Sequence, residues 1–390
     1  MSIDVSALQK ARSTYKPKLP KALRQPNVRI EFGAPTEAAA DREDIQELFP
    51  HIYGQQTVTL VEGDGNLRTD SLRIGVVLSG GPAAGGHNVI AGLFDAMKAA
   101  NSDSRLFGFL RGAWGIVECN YVELTAEKID AYRNTGGFDM IMSGRDKIER
   151  IEDLAQCRHN LEELDLDGLV IVGGDDSNTN AAVLAEYLRS HDSKTCVVGV
   201  PKTIDGDMRS ERIEITFGYD TACKVYAELV GNVCRDAISS VKYWHFIRLM
   251  GRSASHITLE CAMQTRPNIA LISEEIQATG ATLEEIVDGI VDVIVKRADA
   301  GKDYGVVIVP EGLPEFISDI KVMIDELSRI LGEEENYIRS LPDHSERAQY
   351  ISGELSAQSA KVYNTLPVDI QEVLLRRDSH GNVPLSQVET

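Results

Sequence analysis

Between Cys196 and Met208 the chain reads CVVGVPKTIDGDM, in which an apolar run, Val197 to Val200, stops at Pro201 and releases Lys202, Thr203, Asp205 and Asp207. In open α/β sheets, ligands bind just beyond the carboxyl ends of the strands, so a strand ending this way is placed for chemistry. Asp205 and Asp207 suit a general base and a metal-side carboxylate, with Lys202 as counter-charge for an anion. Asp-Gly-Asp after a strand is also ordinary turn composition. The neighbouring stretches have to decide.

Two earlier strand candidates end in glycine-rich turns. RIGVVL (73–78) runs into SGGPAAGGHN (79–88), where Gly80, Gly81, Gly85 and Gly86 let a backbone approach a phosphate and the following helix start offers free N–H donors. The stretch lacks the GK[ST] ending of a P-loop and the spacing of GxGxxG. GLVIV (168–172) runs into GGDDSNTN (173–180), which adds Asp175, Asp176 and Ser177. Asp175 can hold Mg²⁺ through its carboxylate, with phosphate oxygens and waters completing the octahedron. Asp176 or Ser177 can equally cap a helix.

Two later strands close on a charge. LMGRSASH (249–256) places Arg252 where a guanidinium can fork onto a phosphate, or simply form a surface ion pair. VPEGL (309–313) stops at Glu311, a possible acceptor for sugar hydroxyls or a solvated strand end. His87, His245 and His256 are separated and without HExxH spacing, which makes them structural or supporting groups.

The elements that position these groups alternate. Strands are expected at 73–78, 107–110, 139–142, 168–172 and 196–200, with helices after the two glycine-rich turns. A long helix opens at Asp220. It is followed by a strand at 243–250, a helix through Cys261, a strand at 268–272, a helix at 282–297 and a strand at 304–309; 316–375 is helical in period. The fold class is α/β, two Rossmann-like domains with mainly parallel sheets flanked by helices. Residues 1–70, broken by Pro20, Pro26, Pro35 and Pro50 and with a turn at 63–66, read as an irregular extension wrapping the first domain. The domains are expected at 71–218 and 219–390.

Composition sets the outer limits. With 40 basic against 60 acidic residues, a net charge of −20 argues against a nucleic-acid or anionic-membrane surface, without preventing a local basic pocket. The six cysteines show no CxxC spacing and read as reduced core residues of a cytoplasmic protein. The N-terminus has no signal-peptide run, and no stretch reaches the length of a membrane span.

SGGPAAGGHN, GGDDSNTN, PKTIDGD, LMGRSASHITLE and VPEGL, in this order, resemble the phosphofructokinase superfamily, in particular its long, pyrophosphate-dependent branch. The likeness runs from about Leu48 to Thr390 and includes LFPHIYGQ (48–55) and RRDSHGNV (376–383). It implies reversible, Mg²⁺-dependent phosphoryl transfer from pyrophosphate to the 1-hydroxyl of fructose 6-phosphate. Asp205 would be the catalytic base, with Lys202 and Asp207 beside it on the phosphoryl or metal side, and Asp175 the magnesium-linked aspartate. Gly81, Arg145 and Asp176 would face the donor. Thr203, Met250, Gly251, Arg252 and Glu311 would hold fructose 6-phosphate. Lys242 and Tyr243 would face a neighbouring subunit's ligand in a homodimer or larger assembly.

In ATP-using relatives the positions of Asp176 and Lys202 commonly hold glycine and a small residue. Asp176 would repel the α-phosphate of a nucleotide, since like charges about 4 Å apart repel by roughly 4 kcal/mol at an effective dielectric near 20. Lys202 would neutralise the compact pyrophosphate. The resemblance also implies a further C-terminal segment, with a YEGR-type motif at the sugar phosphate, that this sequence does not contain. An ATP-dependent kinase and a noncatalytic sugar-phosphate-binding subunit or fragment are the alternative readings.

Overall fold

The computed structural model describes residues 6–24, 28–63, 70–208 and 210–375. They divide into two compact units, Met1–Thr203 with Thr216–Gly218, and Ile204–Ile215 with Tyr219–Thr390. The turn expected at 63–66 lies outside the described residues after Gly63, as do Pro26 and RRDSHGNV (376–383).

The first unit opens with helix α1 (Ala7–Thr14), started by a capping box between Ser6 and Gln9. Strand β1 (Val28–Pro35), helix α2 (Arg42–Leu48) and strand β2 (Gln56–Glu62) follow, and β1 pairs with β2 in antiparallel fashion. This segment is therefore more regular than its prolines suggest. Pro35 sits at the end of its strand, where a missing N–H does least harm.

The main sheet of this unit comprises β3 (Arg73–Leu78), β4 (Arg105–Phe109), β5 (Tyr121–Glu123), β6 (Gly168–Gly173) and β7 (Cys196–Pro201), in the order β5-β4-β3-β6-β7. All neighbours are parallel except β5, which pairs antiparallel with β4. Helices α3 (Gly86–Ala100), α4 (Trp114–Val117), α5 (Ala126–Tyr132), α6 (Ile151–Glu163) and α7 (Asp175–Ser190) connect the strands. Side chains alternate across the sheet, as the two-residue period of a strand requires. Val76 and Leu78 join Ile90, Phe94 and Ile129 on one face, while Val77, Phe107 and Phe109 join Ile116, Leu161 and Leu184 on the other. Apolar residues on both faces are why these strands read as unbroken hydrophobic runs.

Residues 139–142 form no strand, contrary to the sequence expectation. Ile141 is fully buried, which accounts for the apolar signal, but Met142 takes a left-handed φ of 58° that breaks extended geometry. The segment instead meets the sheet at a single parallel bridge between Ser79 and Gly144.

The second unit runs through α8 (Tyr219–Ser240), β8 (Tyr243–Leu249), α9 (His256–Thr265), β9 (Ile269–Ala270), α10 (Ser273–Thr279), α11 (Leu283–Asp299) and β10 (Tyr304–Pro310). Its sheet is parallel, in the order β8-β10-β9. Among the described residues four helices follow: α12 (Ser318–Ser340), α13 (His344–Glu354), α14 (Ala357–Thr365) and α15 (Val368–Leu374). One core packs Val230, Ile257 and Cys261 onto Val306 and Ile308 of the sheet; a second gathers Leu327, Leu331, Ile351 and Tyr363 among the last helices. Among the described residues no helix is long and apolar enough to cross a membrane.

Candidate active site

In the first unit, chain order and strand order reverse between β3 and β6. β3 is followed by β4 on one side of it, and the chain then crosses to β6 on the other. Open α/β sheets form their binding crevice at such a switch point. Here it opens between the turn after β3 and the head of α7. Gly80 has φ of +81°, Gly85 of +129°, conformations that glycine adopts without strain. The turn is tied down by hydrogen bonds from Ser79 N–H to Val172 O and from Gly80 N–H to Gly144 O, both 2.8 Å.

Lys202 reaches this turn from β7. Only 7% of it is exposed, its N–H donates to Gly173 O at 2.8 Å, and its Nζ donates to Gly81 O at 2.8 Å. The ammonium lies 5.8 Å from the centre of the Phe138 ring. It is also 3.3 Å from the position a Cβ on Gly80 would occupy. A side chain at residue 80 would thus crowd the ammonium. Arg145 approaches the same turn, its Nη2 3.5 Å from the corresponding position on Gly81. Gly81, Arg145 and Lys202 therefore converge.

Asp175 and Asp176 begin α7, where carboxylates are favoured by the helix dipole. Neither caps the helix: the N-cap is Gly174 and makes no side-chain bond, while Ser177 donates to Ser79 Oγ at 2.9 Å. Asp176 is instead paired with Lys147, 3.2 Å away, a residue the sequence reading passed over. Its signal was present in SGRDKIE, two positions after Arg145. Asn180 holds this stretch by accepting from Ile148 N–H at 3.1 Å and donating to Ile148 O at 2.6 Å.

The second unit carries the remaining groups. Burial first, and then Asp207, push the Asp205 carboxyl above its ordinary range; a bond from the Arg252 backbone N–H and the Arg252 charge oppose this. Gly206 turns the chain between the two aspartates with φ of +74°, and its carbonyl accepts from His256 Nδ1 at 3.0 Å. Asp207 Oδ2 accepts from Ser253 Oγ at 2.8 Å, whereas Oδ1 is buried with no hydrogen-bond partner among the described residues. Gly251, with φ of +126°, and Gly312 let the ends of β8 and β10 meet; a Cβ on Gly312 would fall 1.6 Å from Arg252 O. Gly251 N–H donates to Glu311 Oε2 at 3.4 Å. Glu315, also unforeseen, has its carboxyl raised by burial, with Arg252 opposing. Asp205, Asp207, Arg252 and Glu311 are therefore brought together in this unit.

Lys242 and Tyr243 are not. They lie at the opposite end of β8 from Gly251 and Arg252, about 20 Å away at 3.3 Å per residue. Met250 is 47% exposed beside Gly251.

Among the described residues no three His, Cys, Asp or Glu side chains converge to hold a metal by themselves. The exposed carboxylate of Asp175 and the orphaned Asp207 Oδ1 each fit an ion of the Mg²⁺ type, which keeps waters and takes one or two carboxylates plus substrate phosphate.

The family described as Phosphofructokinase matches residues 73–352. The chain belongs to the phosphofructokinase family. It is 51% identical to a pyrophosphate–fructose 6-phosphate 1-phosphotransferase of Porphyromonas gingivalis, over 99% of this chain and 70% of that protein. It is 47% identical to the protein of that name from Entamoeba histolytica, over 100% of this chain and 71% of that protein. The corresponding subunit beta from Ricinus communis is 49% identical, over 99% of this chain and 68% of that protein. Among solved structures, the phosphofructokinase of Saccharomyces cerevisiae superposes with a TM-score of 0.52 at 23% identity, covering 62% of this chain and 33% of that one. The pyrophosphate-dependent phosphofructokinase of Marinobacter aquaeolei gives 0.52 at 18% identity, covering 62% and 60%. These two likenesses concern the fold.

The candidate residues divide between the two units. The glycine turn, Arg145, Asp175, Asp176, Lys202 and Thr203 belong to the first unit, and Asp205, Asp207, Arg252 and Glu311 to the second. The chain passes from one set to the other at Thr203–Ile204.

Proposed function

We propose that this chain transfers a phosphoryl group reversibly between pyrophosphate and the 1-hydroxyl of fructose 6-phosphate, giving fructose 1,6-bisphosphate and phosphate. The observation that carries the donor assignment is Lys202, a buried ammonium fixed against the glycine turn at a sheet switch point, with Asp176 at the head of the adjacent helix. Phosphoryl transfer asks for positioning and charge neutralisation more than for covalent chemistry. Lys202 and Arg145 neutralise the compact donor, while Asp176 repels the longer nucleotide. Asp205 takes the proton of the accepting hydroxyl; a base whose pKa lies above the usual carboxylate range is better matched to that transfer. Asp207 supports the phosphoryl side. Thr203, Met250, Gly251, Arg252 and Glu311 hold the sugar phosphate. Bound Mg²⁺ would supply charge neutralisation on the phosphates, with Asp175 as its protein ligand. Lys242 and Tyr243, remote from Arg252 in their own chain, fit a role toward a neighbouring subunit's ligand in an oligomer.

The deciding assay is fructose 1,6-bisphosphate formation from fructose 6-phosphate and Mg²⁺, with pyrophosphate and ATP compared. Turnover with pyrophosphate alone is expected. Turnover with ATP at comparable efficiency would overturn the roles given to Asp176 and Lys202.

A further inference from the structure

We propose that His87 is a positioning residue for the phosphoryl donor: its neutral imidazole ties residues 135–140 to the head of α3, and protonation releases them. The donor role rests on the reading above. His87 stands at the second position of α3 and is 1% exposed. Its Nε2 accepts from the backbone N–H groups of Asp139 at 3.0 Å and Met140 at 2.9 Å. Its Nδ1 lies 2.6 Å from Thr135 Oγ1, and that hydroxyl already donates its proton to Tyr132 O at 2.7 Å. Oγ1 is therefore the acceptor and Nδ1 the donor. One neutral tautomer satisfies every one of these groups. A proton on Nε2 would face two N–H donors, dissolve both bonds and turn to Asp139 Oδ1, 3.1 Å away.

The tied segment leads to the donor groups. Gly85 N–H donates to Gly136 O at 2.8 Å and His87 N–H to Gly137 O at 3.0 Å. A Cβ on Gly137 would meet His87 Cε1 at 2.6 Å, so the backbone is moulded around the ring. Phe138, next along, lies under the Lys202 ammonium. The far end is held by Gly80 N–H on Gly144 O, immediately before Arg145. His87 thus fixes one end of a segment whose other end presents Arg145 to Gly81. The titratable groups facing the ring are Tyr132, edge-on at 4.9 Å, and Asp139, whose Oδ1 is 3.1 Å from Nε2 and whose side chain is 80% exposed. Burial lowers the imidazole pKa and Asp139 partly opposes this, so His87 is neutral at neutral pH.

The test compares the wild-type chain with His87→Gln, whose amide oxygen accepts without titrating, and with the exposed Asp139→Asn. The ratio of wild-type to H87Q kcat/KM for pyrophosphate cancels the titration of the donor itself. It is expected to be flat at and above pH 7 and to fall, approaching about tenfold per pH unit, once the pH drops below the imidazole pKa, which burial holds under the ordinary 6.5. D139N is expected to move that fall to lower pH, because it removes the charge that favours the imidazolium. In the wild type without substrate, hydrogen exchange at the Asp139 and Met140 amides, corrected for intrinsic rates, should accelerate over the same range, and should not do so in H87Q. Equal pH dependence of wild type and H87Q, or corrected exchange that is flat with pH, overturns the proposal. Absence of pyrophosphate turnover at every pH overturns the donor assignment and the positioning role with it, and the exchange data then show whether the latch itself exists.

Discussion

Asp205 is held in an environment that works against its own charge, and that tension has two measurable consequences. Its folded-state pKa lies above the ordinary value, first through burial and then through Asp207. The charged form is therefore disfavoured by the fold: the stability cost begins as pH rises above the unfolded pKa and is complete above the folded one. Asp205→Asn is expected to lower kcat by about 10²–10⁴-fold, the range of a general base. It should leave pyrophosphate binding in place and raise the melting temperature at pH 7, as calorimetry would record. Loss of activity together with a lowered melting temperature would argue for a structural role instead. Asp207→Asn should move the acid limb of the kcat profile to lower pH, since Asp207 helps hold the Asp205 pKa up. Lys147→Met isolates the unforeseen pair: with Asp176 unpaired beside the donor, KM for pyrophosphate is expected to rise about two- to fivefold, the scale of an exposed ion pair, and the difference should shrink in high salt. Lys147 went unread because its nearness to Arg145 in SGRDKIE does not say which carboxylate it meets, and Asp176 comes from the head of another element. His87 was legible only as a structural or supporting group, because its bonds run to backbone groups that only the fold brings near.

Elements were legible wherever period and punctuation agreed. The runs at 73–78, 168–172 and 196–200 became β3, β6 and β7: β3 and β6 are buried and paired on both sides, whereas β7 is a largely exposed edge strand paired only with β6, its run stopped by Pro201. The apolar run at 139–142 misled, since burial of Ile141 alone imitates a strand. β5 was missed because three residues at a sheet edge leave no period to read. The strand expected at 268–272 shrank to Ile269–Ala270, its flanks being bonded through Asn268 and Leu271 instead. The glycines that close the elements onto the site separate fold from function. Gly81→Ala meets only Arg145 Nη2 at an ordinary 3.5 Å and needs no unusual φ. It should leave the melting temperature unchanged and raise KM for pyrophosphate. Gly312→Ala drives a methyl onto Arg252 O and should destabilise by about 1–3 kcal/mol, the cost of overpacking, while raising KM for the sugar phosphate. Steady-state kinetics and thermal melts of the two variants distinguish these outcomes.

At the scale of the whole molecule, two units with separate cores each hold part of the inventory, and this makes the ligand assignments independently testable. If the first unit binds pyrophosphate with Mg²⁺ and the second binds fructose 6-phosphate, each ligand stabilises the backbone that it touches. At one hundred times its Kd, a ligand specific for the folded form contributes about 2.7 kcal/mol against opening of its site. Hydrogen exchange with pyrophosphate and Mg²⁺ should therefore slow the amides of 79–87, 144–148 and 173–178. Exchange with fructose 6-phosphate should slow those of 205–207, 249–254 and 311–315. The contrast is sharper than an activity assay because it needs no turnover, and the chain spans about 70% of the length of the Porphyromonas gingivalis relative. Protection of the second set by pyrophosphate alone would move the donor out of the glycine turn and leave Lys202 a structural ammonium. Protection of the first set by pyrophosphate, with none of the second by the sugar phosphate, would place the acceptor's binding energy in residues beyond Arg252 and Glu311.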